Sequence, residues 1–227
     1  MDDLSGWTAR ERPARAPIEG RFVRLEPLDA AHHGDGLFAA STTPDAQDRF
    51  RWLFEAPPQE RAAFQAWLER TAASEDPLHF AVIDKASGRV GGRQSLMRVD
   101  TVHGVVEIGS ILWNEPVARR PAATEALYLF ARYAFDTLGY RRFEWKCNNL
   151  NTPSKYAALR FGFTFEGVFR QHMVVKGTNR DTAWFAMVDK DWPVIRGALE
   201  AWLAPENFDA EGRQKRRLQD IRTRGRL

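Results

Sequence analysis

Apolar and polar positions change period several times along the 227 residues, and each change marks an element. Residues 21–27 (RFVRLEP) alternate as a half-buried strand does, and Asp29 then stands where an N-cap would open a helix toward Ala40. Residues 41–48 are turn-forming. After Pro57-Pro58, Ala63, Phe64, Trp67 and Leu68 recur at helical spacing over 59–73 and stop before Ser74-Glu75-Asp76-Pro77. Strands are predicted over 78–83 and 90–99 about a turn at 85–88, and a third over 105–113. Ala126, Leu127, Phe130, Tyr133 and Leu138 form one apolar stripe of a helix over 122–138, which Gly139 closes. A strand at 141–147, a short helix ending at Gly162, and strands at 164–175 and 181–188 follow. The last two flank Lys176-Gly177-Thr178-Asn179 as a hairpin does, and 191–203 reads as a helix with Pro193 in its first turn.

Composition bounds this pattern. At 44% hydrophobic the chain can bury one substantial core, so we expect an arm at 1–17, one domain at 18–205 and a basic tail at 206–227. The arm carries Arg10, Arg12 and Arg15 without an apolar period. The net charge of +3 is concentrated at the end of the chain, and the tail reads as a solvated or partly disordered segment rather than an RNA or ribosome contact. A single cysteine, Cys147, excludes an internal disulfide, and the five histidines lack zinc-ligand spacing, so no metal is expected. Neither a signal core nor a membrane-length apolar run occurs, which predicts a soluble, cytoplasmic protein with no membrane partner. Dinucleotide fingerprint, P-loop and G-x-S-x-G elbow are all missing.

Two places carry candidate chemistry. Glu107 interrupts the apolar run 105–113, where a carboxylate is costly unless it is paired or faces a cleft. Held toward neutrality by burial, it would suit a general base for an amine; paired with an arginine of a neighbouring strand, it would be structural. The second place is Asn148-Asn149-Leu150-Asn151-Thr152-Pro153-Ser154. Thr152 can N-cap and Pro153 fits the first helical turn, while Asn151 offers an amide to a ligand and Ser154 a hydroxyl that could protonate a leaving thiolate. Glu144 is a reserve base that Arg142 and Lys146 would neutralise. Tyr156 reads as packing, Trp113 and Trp145 as core or cleft wall, and Cys147 as inert. The loop 114–120 delivered onto a helix start suits an anionic ligand, which points to a phosphate-bearing cofactor.

With Glu107-Ile108-Gly109-Ser110, Ala123-Thr124-Glu125-Ala126, Asn151-Thr152-Pro153-Ser154 and Phe161-Gly162-Phe163-Thr164-Phe165-Glu166-Gly167-Val168-Phe169-Arg170 in series, the chain resembles the GNAT acyltransferases over roughly 18–192. It is most similar to their Rim-type branch, the ribosomal-protein N-terminal acetyltransferases. The resemblance implies an α+β fold with a mixed, mostly antiparallel central sheet of about seven strands flanked by helices. It also implies acetyl transfer from acetyl-CoA to a primary amine in a ternary complex, without a metal. On that likeness the backbone near Leu112 and Trp113 holds the pantetheine and polarises the thioester, and Arg119, Arg120, Ala122, Ala123 and Thr124 hold the pyrophosphate. Asn151 and Ser154 border the cofactor, with Glu107 as base and Ser154 as acid. The phosphate loop departs from the family's pattern, with Ala118 at the usual Gln/Arg position and Pro121 at a Gly position, so one backbone donor is missing. That departure keeps open a non-catalytic reading, an acyl-CoA-sensing or RNA- or ribosome-associated module. The acceptor stays open between protein N-termini, polyamines, aminoglycosides and amino acids, and the Gly177 hairpin leaves a homodimer open.

Overall fold

The structure, a computed structural model, describes residues 3–224. Eight strands form one sheet in the order β1-β2-β3-β4-β5-β6-β8-β7. They are β1 (Ile18–Glu19), β2 (Val23–Pro27), β3 (Leu78–Asp84), β4 (Val90–Asp100), β5 (Val105–Trp113), β6 (Arg142–Asn148), β7 (Thr164–Val175) and β8 (Thr178–Val188). Every neighbouring pair is antiparallel except β5 with β6. The sheet exceeds the expected seven strands because Ile18–Glu19 folds back on β2, a pairing too short to show in a hydrophobic period.

The parallel pair needs a crossover, and helix α4 (Pro121–Arg132) supplies it. Pro121 at its first turn costs no hydrogen bond there. The helix is buried far beyond the predicted stripe, from Ala122 to Ala131, because α6 (Trp192–Leu203) covers the side turned away from the sheet. Its continuation Tyr133–Thr137 is a π-turn, and Gly139 follows at φ 66°. Glu125, buried in α4, accepts the amides of Arg21, Phe22 and Val23 at 2.8, 2.6 and 2.8 Å and so fastens the β1–β2 turn.

Helices α4, α5 (Thr152–Phe161), α6 and α7 (Leu218–Arg224) lie on one face of the sheet, where Phe80, Ile108, Phe143 and Phe185 fill the main core. Helices α1 (Ala30–Ser41) and α3 (Arg61–Ala73) cover the other face through Leu37, Phe64 and Leu68 against Ala81 and Ile83. Asp29 caps α1 as expected, accepting the His32 amide at 2.7 Å. The expected turn at 41–48 runs into α2 (Ala46–Phe50).

Three expectations are corrected. Asn151, not Thr152, caps α5, its side-chain carbonyl accepting the Ser154 amide at 3.2 Å. The basic tail is not a wholly solvated end among the described residues: Leu218 and Ile221 of α7 are buried, and the Asn207 side chain joins the Trp202 carbonyl to the Arg216 amide at 3.0 Å each, while 210–217 are exposed. Arg222 donates to the Leu159 and Arg160 carbonyls at 3.1 Å, the ordinary partner set of a helix C-terminus. Tyr156 is exposed rather than packed.

The N-terminal arm is a strap. Trp7 Nε1 donates to the Val102 carbonyl at 2.7 Å, the Arg10 amide to the Thr101 carbonyl at 2.9 Å, and Tyr140 Oη to the Glu11 carbonyl at 2.9 Å. These partners precede β5 and β6, at the opposite end of both strands from the opening described next.

Candidate active site

β5 and β6 pair only from Val105 with Arg142 to Ile108 with Trp145, and then separate. The cause lies on the other side of β5. Arg93 of β4 faces Leu112 and Ser95 faces Gly109, so Gln94 alone opposes Ser110 and Ile111. That extra residue is a β-bulge, which bends its strand. Ser110 takes φ 51° at the bulge, and its carbonyl accepts Arg93 Nη1 at 2.6 Å; Gly109 accepts Ser95 Oγ at 3.0 Å. β4 can approach this closely because Gly92, at φ 138°, leaves room for the Leu112 carbonyl, which a Cβ would meet at 1.9 Å.

The bend leaves the β6-facing edge of β5 beyond Ile108 without a strand partner and opens a cleft there. Glu107, Ser110, Trp145, Cys147, Asn151, Ser154 and Arg180 line it, together with Arg49, Trp52 and Phe54 from the segment after α1. Lys176 of the β7–β8 hairpin reaches the same segment, donating to the Phe50 carbonyl at 2.9 Å.

Strand alternation divides these residues between the two faces. Trp145 and Cys147 point toward α4 and α5 with the main core, and Trp145 Nε1 donates to Ser154 Oγ at 3.0 Å. Burial pushes the Cys147 thiol up, against a Ser154 hydrogen bond that lowers it, consistent with the inert role expected of it. Glu107, Glu144, Lys146, Thr182 and Trp184 lie on the opposite face.

Glu107 is 3% exposed, yet it is not the isolated carboxylate that its apolar strand suggests. Arg98 Nη1 stands 2.6 Å and Lys146 Nζ 2.9 Å from its Oε2. Both cations therefore meet the same carboxylate oxygen, Oε2. The neighbouring-strand arginine and the cleft position occur together. Lys146 also meets Glu144 at 2.6 Å and lies 3.8 Å from the Trp184 ring centroid; Glu144 takes Arg142 as well, at 2.6 Å. Glu144 is thus neutralised by the two cations expected to do so.

A second opening lies at the start of α4 and is lined by Trp113, Arg119, Arg120, Ala123, Thr124, Arg160, Trp202 of α6 and, from residues after α6, Phe208, Gly212 and Gln214. The loop before α4 consumes its own amides: Val117 and Ala118 donate to the Asn114 carbonyl at 2.7 and 2.8 Å, and Arg120 to Val117 at 3.3 Å. Ala123 donates to Arg120 at 3.1 Å, and Pro121 has no N–H. The expected amide donors at 122–124 are therefore fewer than the helix start alone implies. Thr124 Oγ1 accepts Arg160 Nη1 at 3.0 Å, which brings a third arginine beside Arg119 and Arg120. Leu112 is buried against Phe50 and Ala46; the Trp113 carbonyl accepts Arg49 Nη1 at 3.1 Å and its indole donates to Gln94 at 3.0 Å.

Sequence reasoning missed Arg49, Arg93, Arg98, Arg160 and Arg180. All five reach a cavity or a site residue only through sheet register or helix packing, so no local motif marks them. One group of possible metal ligands occurs among the described residues, Glu26, His32 and His33. His33 Nδ1 accepts the Asp29 amide at 3.0 Å, so its proton resides on Nε2, which faces Glu26 at 2.7 Å. That nitrogen has no lone pair to offer a metal, and the trio reads as a fastening of α1 to β2.

Residues 23–164 match the family model described as "Acetyltransferase (GNAT) domain". A crystal structure of a GCN5-related N-acetyltransferase from Brucella melitensis is 62% identical, with a TM-score of 0.96 over 97% of this chain and 100% of that one. A structure from Chromobacterium violaceum ATCC 12472, titled a probable acetyltransferase of the GNAT family, is 39% identical, with a TM-score of 0.79 over 85% and 96%. "Probable N-acetyltransferase YjcK" of Bacillus subtilis (strain 168) is 23% identical over 180 residues, 77% of this chain and 98% of its own.

Proposed function

The chain belongs to the GNAT acetyltransferases, and from that premise we propose that it moves an acetyl group from acetyl-CoA to a primary amine by direct attack where β5 and β6 part. The observation that carries the reading is the bulged, unpaired edge of β5, with an arginine-lined opening at the start of α4 on one face and Glu107 on the other. When bound, acetyl-CoA supplies the acetyl group as an activated thioester. The residues present fit it: the free β5 edge from Gly109 to Trp113 offers peptide groups to a chain of amides, and Arg119, Arg120 and Arg160 offer charge to phosphates. Guanidinium charge replaces the amide donors that Pro121 and the loop's own hydrogen bonds remove.

Glu107 acts as the base through Oε1, taking the amine's proton directly or by way of water, while Arg98 and Lys146 fix the carboxylate through Oε2. Ser154, oriented by Trp145 Nε1 and by the α5 start, gives a proton to the departing thiolate. Asn151 spends its carbonyl on the cap and retains its NH2 for the cofactor's amides. An α-amine, with a pKa of about 8 against about 10.4 for lysine, needs the weaker activation and is the better acceptor. This agrees with the Rim-type likeness.

Acetyl-CoA titration calorimetry and amine-dependent CoA release, measured on either side of pH 8, test the reading. Glu107→Gln is expected to retain cofactor binding, to slow acetylation by about 10²–10⁴-fold and to steepen its dependence on high pH. An unchanged pH–rate profile removes Glu107 from the role, and absence of acetyl-CoA binding by the wild type removes the reading itself.

A further inference from the structure

Arg180 lies on β8, on the same face of the sheet as Glu107, is 9% exposed and lines the cavity between β5 and β6. Its Nε donates to Thr182 Oγ1 at 3.2 Å, and its guanidinium lies 5.0 Å from the Phe54 ring centroid. Neither neighbour is an anion. The other cations around this cavity each have one: Arg98 and Lys146 share Glu107, Lys146 and Arg142 share Glu144, Arg142 also takes Glu166 at 2.5 Å, and Arg49 takes Asp45 at 2.8 Å. Among the described residues no carboxylate stands within ion-pair distance of Arg180.

A guanidinium does not discharge to escape burial as a lysine can, so one without an ion-pair partner in a cleft carries a cost that an incoming anion relieves. Burial pulls the Arg180 guanidinium below the ordinary arginine value, with Arg98 adding to it, and the more distant Glu107 and Cys147, which pull upward, do not cancel it. Its forked donors match a carboxylate in two parallel hydrogen bonds. The cofactor's phosphates are not that anion, because Arg119, Arg120 and Arg160 gather in the other opening, at the start of α4.

Resting on the acetyl-transfer reading above, we propose that Arg180 selects an acceptor that carries a carboxylate together with its amine, holding the carboxylate while the amine faces Glu107. β5 and β8 are separated only by β6, about 10 Å between strand axes, and both side chains extend into one cavity, so the acceptor is short, of amino-acid dimensions. The carboxylate comes either from the α-carboxyl of a free amino acid or from an acidic side chain near a peptide's N-terminus.

Binding decides this without turnover. Calorimetry on the CoA-bound full chain would compare free amino acids with the matching amino-acid amides, and N-terminal Asp and Glu dipeptide amides with their Asn and Gln counterparts. We expect one carboxylate-bearing set to bind at least about tenfold more tightly than its neutral partner. The set that does so identifies the source. Arg180→Gln should abolish the difference, and Arg180→Lys, which keeps the charge but loses the fork, should retain part of it. Equal binding within every wild-type pair, no binding by any carboxylate-bearing member, or a preference that survives in Arg180→Gln overturns the proposal. A preference for carboxylates without CoA release from acetyl-CoA would instead strike the acetyl-transfer reading and leave the anion site standing.

Discussion

Lys146 is the cation on which the buried carboxylates of the site depend, and its removal should be measurable. Its side chain is 5% exposed, with Nζ 2.9 Å from Glu107 and 2.6 Å from Glu144. Those two glutamates face each other across the parallel β5–β6 register. Lys146→Met keeps the length of the stem and deletes the charge, leaving two carboxylates side by side in a poorly solvated place. Breaking a buried pair costs about 3–5 kcal/mol. Glu107 retains Arg98 and Glu144 retains Arg142, so the lower end, about 3 kcal/mol, is expected. With a urea slope of about 2–3 kcal/mol per molar, the unfolding midpoint should fall by about 1 M. Adding Glu144→Gln removes the like-charge contact, and the double variant should regain more than half of the loss. A loss under about 1 kcal/mol for Lys146→Met, or strictly additive losses in the double variant, would refute the network as drawn.

Other consequences are equally direct. Gly92→Ala puts a Cβ at 1.9 Å from the Leu112 carbonyl at φ 138° and should cost about 3 kcal/mol or more in denaturant unfolding, whereas Gly88→Ala, at φ 69° in open space, should cost about 1–2 kcal/mol. His79 is buried without a partner for Nδ1, and burial, with Arg93 and Arg15 adding to it, pushes its pKa down to about 3. The unfolded chain binds that proton from about pH 6.5 downward and the folded one does not. This contribution is therefore complete above pH 6.5 and is lost toward pH 3, at up to about 1.4 kcal/mol per pH unit. His79→Gln should flatten the stability profile between pH 6 and 4.5, and an unaltered slope would contradict the assignment. A chain ending at residue 205 loses the buried Leu218 and Ile221, worth about 1.5–3 kcal/mol each, and the cavity wall at Phe208, Gly212 and Gln214. Its melting temperature and its acetyl-CoA affinity should both fall; unchanged affinity would detach the tail from the cofactor opening.

The order of strands and helices was legible in the sequence because each is written in a local period: alternation in 21–27, the stripe of 122–138, the Lys176-Gly177 turn, and the Pro153 start and Gly162 stop of α5. Glu107 could likewise be singled out, since a carboxylate in an apolar run is a local anomaly, and Ser154 and the departed phosphate loop could be read against the motifs of the family the chain resembles. Register is not local. The bulge at Ser110 that parts β5 from β6 arises from β4 opposing two residues with one, and neither strand's own pattern encodes that count. The convergence of Arg98, Lys146 and Arg180 on the Glu107 face comes from three further strands, and the docking of a basic tail on α5 comes from two buried side chains, Leu218 and Ile221, among many charges. Composition fixed how much charge the chain carries; only packing decided which charges meet a carboxylate within ion-pair distance and that, among the described residues, Arg180 does not.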